Sequence, residues 1–343
     1  MDGVELARVA VIGFGNVGKA LVRELAGSRV LSLASVSSSR GSVIVRGRRS
    51  LEELLSLSST QARLEAHGDF EQVDPVEAAI SSGASLALIA IPPSYETGEP
   101  NQGLYRRLAG EGIDLVTADK TVLALGFRAF MSYASSRGIR VGYSATVAAG
   151  TPVLEVARKL RYRGVKAIRG ILNSTTNLLI SMVEEGASWD EALEKARREG
   201  LVEPDPRIDT HGWDPAAKLA IILSVLGEEA SLRDVKREPL VGGVGEYEAR
   251  EAARRGRRLA YVAEADLARG DYRVHPVLLD MSDPLSRARG ARNCVVFEVE
   301  GDRVVVEGPA GPAWRTARVM VSDAIEIAGT PRIIGPTYRA PLP

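Results

Sequence analysis

The stretch "RVAVIGFGNVGKALVREL" at residues 8–25 decides the fold. Residues 9–12 form an unbroken apolar run, as in a parallel strand buried on both faces. Val17, Ala20, Leu21 and Leu25 then recur at helical spacing. Between strand and helix stand Gly13, Gly15 and Gly18 in G-x-G-x-x-G spacing. Gly13 permits a tight turn, Gly15 lets the backbone approach a pyrophosphate, and Gly18 lets the helix pack on the strand. The helix start then offers N–H groups and positive potential to phosphate. Such a motif is weak alone, but a buried strand before it and a helix after it supply the context a dinucleotide site requires. Gly13, Phe14, Gly15, Asn16, Val17 and Gly18 are therefore the expected cofactor-binding turn. The competing reading is a glycine-rich turn in another doubly wound fold.

Outward from this turn, strands and helices alternate to about residue 150. Strands are expected in "RVLSLASVSSS", "ASLALIAIPPS", "IDLVTADK" and "IRVGYSA", and helices in "LEELLSL", "NQGLYRRLAGEG" and "FRAFMSYASSRG". This predicts an α/β fold with an N-terminal doubly wound parallel (Rossmann) sheet. Helices around "LLISMVEE", "SWDEALEKARREG" and "DPAAKLAIILSVLG" follow. Antiparallel strands in "RLAYVAEADL", "YRVHPVLLD" and "NCVVFEVEGDRVVVEG" then indicate a C-terminal α+β domain.

The composition excludes several classes. The 343 residues balance 44 basic against 44 acidic side chains, which gives no field to attract nucleic acid or an anionic membrane. The run "REAARRGRRLA" at 250–260 reads as the wet face of a helix. No apolar run approaches a membrane span, and no signal-peptide layout is present. The lone Cys294 sits in an apolar run and reads as an inert core residue, and His67, His211 and His275 lack metal-ligand spacing. A cytoplasmic protein is expected.

The second strand bears on the choice of dinucleotide. An NAD site usually ends that strand in an acid that holds the ribose 2′-hydroxyl. Here it ends in "VSSSRG", residues 36–41. Ser38, Ser39 and Arg40 suit a 2′-phosphate, with Arg40 making charge-assisted hydrogen bonds. NADP is favoured and NAD stays possible; otherwise Arg40 is a surface loop residue.

A second stretch, "EPDPRIDTHGWDPAAK" at residues 203–218, gathers Glu203, Asp205, Asp209 and Asp214 around Lys218. Pro204 and Pro206 predict an extended loop over 203–207. Asp214 and Pro215 have the character of an N-cap and a first helical residue, which puts Lys218 in the first turn. A lysine there opposes the helix dipole, while the nearby acids favour its charge. Two readings stand: a cap with charge neutralisation, or a pocket whose acids bind a cationic group and whose lysine serves a carbonyl oxygen.

Taken together, these residues resemble homoserine dehydrogenases over nearly the whole chain. The likeness is carried by "VIGFGNVG" (11–18), "TGEP" (97–100), "VTADK" (116–120), "ATVAAGTP" (145–152), "GILNSTTNLLISMVEEG" (170–186) and, most specifically, "GLVEPDPRIDTHGWDPAAK" (200–218). The resemblance implies NAD(P)-dependent interconversion of L-homoserine and L-aspartate 4-semialdehyde, in threonine, methionine and isoleucine biosynthesis. It implies catalytic roles for Lys218 and Lys120, with the proton donor open between them. Glu203 and Asp214 match acids that hold the substrate ammonium, Asp209 a supporting acid, and Ser174 and Thr175 the carboxylate-binding positions. Pro92, Lys120, Gly200 and Pro312 match cofactor contacts. Main-chain carbonyls of Ser144, Val147, Ala149 and Thr151 match a structural site for a monovalent cation such as sodium or potassium.

The chain departs from the family pattern at Asp119, where asparagine is usual, at Ser144, where glutamate is usual, and at Ser174 and Pro312, where glycines are usual. The expected domains are 1–145 for NADP, 146–308 for catalysis and dimerisation, and 309–343 as a segment returning to the cofactor domain. A homodimer without ACT or aspartate kinase domains is implied, with no nucleic acid or membrane partner. The rivals are another amino-acid or semialdehyde oxidoreductase of the same architecture, and a catalytically silent NADP-binding protein.

Overall fold

The computed structural model describes residues 6–198 and 206–330. The chain opens with β1 (Ala7–Ile12), α1 (Asn16–Ala26), β2 (Leu31–Ser38), β3 (Gly41–Ile44), α2 (Arg48–Ser58), β4 (Phe70–Glu71) and α3 (Pro75–Ser81). It continues through β5 (Leu86–Ile89), α4 (Asn101–Gly110), β6 (Asp114–Thr117), α5 (Thr121–Ser136) and β7 (Val141–Gly142). Next come α6 (Val153–Leu160), β8 (Val165–Ile171), α7 (Ser174–Glu184), α8 (Trp189–Arg198), α9 (Arg207–Thr210) and α10 (Trp213–Leu226). The remainder is β9 (Lys236–Arg237), α11 (Glu246–Arg254), β10 (Arg257–Asp266), β11 (Asp271–Asp280), β12 (Arg292–Val299), β13 (Asp302–Pro309) and α12 (Ala313–Gly329). Two compact units result: residues up to Thr146 together with those from Pro312 onward, and Val147–Gly311.

In the first unit the described strands run in the order β4-β3-β2-β1-β5-β6-β7. The stretch from β2 to β7 through β1 is parallel, as the buried apolar runs require. This is the expected doubly wound parallel sheet, with an antiparallel addition at one edge. After Ser38 the chain turns back at once, and β3 and β4 add antiparallel pairs. Gly41 makes this close return possible, because a Cβ there would sit 2.3 Å from the Glu71 carbonyl oxygen, and its φ is +156°. Leu21, Val22 and Leu25 of α1 are 0–2% exposed against β1 and β2. Each such side chain stabilises the fold by about 1.5–3 kcal/mol. The α12 residues Ala317, Met320 and Ala324 close the same core. Arg140, paired with Asp114 at 2.5 Å, also donates to the carbonyls of Ile327 and Thr330 at the end of α12.

In the second unit the described strands run β13-β12-β8-β10-β11-β9. All neighbouring pairs are antiparallel except β9 with β11. Helices α7, α10 and α11 pack on β10. Ala260 and Val262 join Ile171, Leu279, Cys294 and Val296 in a small core closed by Leu285 and Ala288. Burial on both faces explains the continuous apolar run of β10. Burial also pushes the Cys294 thiol up to about 11, so it stays protonated and inert at neutral pH.

The basic run at 250–260 is not the wet face of one helix. Helix α11 ends at Arg254, and Gly256 at φ +69° turns the chain into β10. Arg258 is 0% exposed, donates to the Ser286 carbonyl at 2.8 Å and to Asn177 Oδ1, and faces Glu184. Burial lowers its pKa and raises that of Glu184, each offset by the charge of the other.

Candidate functional site

The glycine turn of the first unit has the shape its spacing predicts. Gly13 has φ +108°, and a Cβ there would lie 2.1 Å from the Ala90 carbonyl oxygen. A Cβ on Gly18 would lie 1.8 Å from the carbonyl oxygen of Gly13. The close approach at Gly18 is therefore to the turn itself rather than to the body of the strand. At Gly15 nothing lies within 4 Å of a Cβ, so the space above it is open. Gly15 also caps α1 without a side chain, and the first turn carries no acid. The turn thus presents main-chain N–H groups and helix-dipole potential into open space, which fits a pyrophosphate. Lys19 is held off by the carbonyls of Thr60 and Ala62 at 2.9 and 2.8 Å, and its ammonium lies 5.4 Å from the centroid of the Phe14 ring.

At the end of β2, Ser38 Oγ accepts from the Arg40 N–H at 3.2 Å, and Ser39 is exposed. Arg40 is 58% exposed and paired with Glu65 at 3.0 Å. No local signal points to this pairing, because Glu65 stands 25 residues downstream in a short turn.

Pro92 follows β5, and its carbonyl accepts from Asn101 Nδ2 at 3.0 Å. Lys120 is the N-cap residue of α5. Beside it Asp119, 2% exposed, accepts through Oδ1 from the Thr121 N–H (3.0 Å) and hydroxyl (2.7 Å). Its Oδ2 accepts from Asn101 Nδ2 (3.0 Å) and the Tyr105 hydroxyl (3.2 Å). Burial holds the Asp119 carboxyl above the usual range, and the donors from Thr121 and Asn101 pull the other way. The carboxyl thereby ties the strand end that carries Lys120 to α4 and to the Pro92 loop. Pro312 is the N-cap residue of α12.

In the second unit Asn173 caps α7, whose first two residues are Ser174 and Thr175. Asn173 Oδ1 accepts from the Thr176 N–H at 2.9 Å. Its Nδ2 donates to Asp209 Oδ1 at 2.6 Å and to Asp214 Oδ2 at 2.8 Å. Lys218 Nζ donates to the same Asp214 oxygen at 2.7 Å and to the Leu172 carbonyl at 2.6 Å. Asp209 and Asp214 are buried, and the Lys218 side chain is 15% exposed. The three acid and lysine positions expected from sequence thus form one hydrogen-bonded chain. Asn173 and the Leu172 carbonyl join it unanticipated; an asparagine just before "STT" at a helix start was the available signal.

Three local readings are corrected. Asp214 is not the N-cap of α10: Gly212 is, at φ +78°, where a Cβ would meet Tyr261 Oη at 2.6 Å. Asp214 stands at the second helical position and spends its carboxylate on Asn173 and Lys218. Lys218, one turn further on, lies in the second turn. Pro206 is not extended either, since it caps the short α9 with φ −64° and ψ −15°. Glu203 and Gly200 lie outside the described residues.

Of the positions expected to hold a cation, Ser144 falls in the first unit and Val147, Ala149 and Thr151 in the second. The backbone there turns sharply through Ala148 at φ 49° and Gly150 at φ 95°. Among the described residues no group of three or more His, Cys, Asp or Glu has metal-holding geometry, and no helix is long and apolar enough to cross a membrane.

Known proteins are similar to this chain in sequence and fold. The family model described as homoserine dehydrogenase matches residues 152–325. The homoserine dehydrogenase of Sulfurisphaera tokodaii is 29% identical over 93% of this chain and 97% of its own. That of Mycobacterium leprae is 30% identical over 95% of this chain and 73% of its own. A solved hyperthermophilic archaeal homoserine dehydrogenase in complex with NADPH superposes with a TM-score of 0.80 at 26% identity, covering 95% of this chain and 99% of that one. The family match takes in the α7 cap, the acids Asp209 and Asp214, and Lys218, and the relatives align over both units, so this chain belongs to the homoserine dehydrogenase family.

Proposed function

We propose that the chain interconverts L-homoserine and L-aspartate 4-semialdehyde, that Lys218 serves the reacting oxygen, and that NADPH is bound in preference to NADH. The observation that carries this reading is the Lys218–Asp214 pair. One ammonium is fixed at 2.7 Å to a buried acid on an otherwise apolar helix, in a chain of this family.

The substrate carries an ammonium, a carboxylate and an aldehyde. Asp214, supported by Asp209 and joined by Glu203, takes the ammonium. Ser174 and Thr175, with the N-terminal dipole of α7, take the carboxylate. The reduced nicotinamide, when bound, supplies the hydride to the aldehyde carbon. Among the described residues two protons of Lys218 point to Asp214 and the Leu172 carbonyl, and the third serves the substrate oxygen as it becomes an alkoxide. Transfer of that proton completes the alcohol. Lys120 acts electrostatically in the same reaction.

The open space over Gly15, with Phe14, Asn16, Val17 and the flanking Gly13 and Gly18, supports pyrophosphate binding. Ser38, Ser39 and Arg40, with no acid at that strand end, support a 2′-phosphate contact. A structural neighbour solved in complex with NADPH supports the same assignment. Family likeness supports Pro92, Gly200 and Pro312 as further cofactor contacts, and a monovalent cation on carbonyls of Ser144, Val147, Ala149 and Thr151. It also supports a cytoplasmic homodimer in threonine, methionine and isoleucine synthesis.

The test is steady-state kinetics with aspartate semialdehyde and NADPH or NADH, without phosphate. NADPH oxidation that depends on the semialdehyde is expected. No turnover with either cofactor in folded protein overturns the activity, and tighter binding of NADH overturns the preference.

A further inference from the structure

We propose that Asn173 is a positioning residue for this reaction: its amide bridges Asp209 and Asp214 and so keeps Asp214 charged and aimed at Lys218. The proposal rests on the reading of Lys218 above.

Asn173 is 4% exposed and uses both ends of its side chain. The orientation of the amide is fixed by chemistry. The two carboxylate oxygens at 2.6 and 2.8 Å only accept, so they face the NH2 group. The Thr176 main-chain N–H at 2.9 Å only donates, so it faces the carbonyl. The Thr176 hydroxyl, at 3.1 Å from the same oxygen, adds a second donor. No other residue type of this size offers two donors on one nitrogen and an acceptor beside it.

The bridge matters because of what it separates. Two carboxylates lie within hydrogen-bond reach of a single nitrogen, in a buried place. Without donors between them they repel, and one gains a proton. A protonated Asp214 no longer holds the ammonium of Lys218 in place. Asn173 supplies the donors without adding charge. Through its cap it also locks the start of α7, with Ser174 and Thr175, to the acids on α9 and α10 in one hydrogen-bonded unit.

A cap alone and a cap with a bridge predict different variants. Serine caps a helix about as well as asparagine but is too short to reach both acids. Asn173→Ser therefore keeps the cap and loses the bridge, while Asn173→Ala loses both. We expect kcat with aspartate semialdehyde to fall roughly ten- to a hundredfold in both, the usual worth of charge-assisted hydrogen bonds. The Kd for NADPH should stay at the wild-type value, because the cofactor turn lies in the first unit. A double-mutant cycle gives the second arm. In an Asp209→Asn background no second negative charge competes, so Asn173→Ser should cost far less.

Wild-type kcat in Asn173→Ser, with loss only in Asn173→Ala, would reduce Asn173 to a cap and overturn the proposal. Equal cost of Asn173→Ser in both backgrounds would overturn it too, and this comparison holds even if the single variant is less stable. Absence of turnover in the wild-type protein would instead sink the parent reading.

Discussion

Replacing Lys218 by methionine keeps the length of an apolar stem and removes the ammonium. Among the described residues Lys218 Nζ donates to Asp214 Oδ2 at 2.7 Å and to the Leu172 carbonyl at 2.6 Å, and the side chain is 15% exposed. The reaction builds negative charge on one oxygen, and a fixed donor in such a place contributes about 2.7–4 kcal/mol to the transition state. Loss of that donor lowers kcat by roughly 10²–10³-fold. The stability cost is smaller. Asp214 keeps its bond from Asn173 Nδ2 at 2.8 Å, so removal of Lys218 does not leave the carboxylate bare. A penalty of about 1–3 kcal/mol follows. At this unit size each kcal/mol lowers Tm by about 2–4 °C. The assay pairs steady-state turnover of aspartate semialdehyde with thermal unfolding and NADPH titration of the same preparation. A large loss of kcat with retained NADPH affinity is the expected result. A variant that turns over within threefold of wild type, or one that loses activity only in step with unfolding, refutes the role of the ammonium.

Three further outcomes are expected. Arg40→Ala should weaken NADPH far more than NADH, and Glu65→Gln should strengthen NADPH by releasing Arg40 from its 3.0 Å partner; equal changes for both cofactors argue against a 2′-phosphate contact. Gly15→Ala and Gly18→Ala should separate binding from folding, because a Cβ enters open space at Gly15 but falls 1.8 Å from the Gly13 carbonyl at Gly18. The former should lose NADPH affinity with an unchanged Tm, the latter should lose stability, and titration with calorimetry distinguishes them. Asp119 has a folded pKa raised by burial, so its protonated form is favoured in the native state. Its contribution is most favourable below its unfolded value and declines as pH rises through the raised folded one. Denaturant titrations from acid to neutral pH should therefore show a smaller decline in Asp119→Asn than in wild type, and identical slopes contradict the assignment.

The sequence alone determined the first unit's central motif. A four-residue apolar run, three glycines and a 3.6-residue apolar period are local signals, and each has a local cause: two-sided burial, positive φ at Gly13, and the crowding of Gly18 on the turn. It also grouped Asp209, Asp214 and Lys218 of the second unit, since they fall within one short stretch. The caps escaped it, because Gly212 is demanded by Tyr261, a residue of another element. Arg258 escaped for the same kind of reason. Nothing adjacent in the chain distinguishes it from the exposed Arg254, and its partners Ser286, Asn177 and Glu184 come from other elements. The antiparallel edge of β3 and β4 is too short to carry a period. Above all, sequence spacing had no means to join Asn173 to Asp209 and Asp214, which stand 36 and 41 residues away. Charge and hydrogen-bonding capacity can be read from residue types. Which donor meets which acceptor is decided when helices from separate parts of the chain exclude water together, because only there must every polar atom find its partner within the protein.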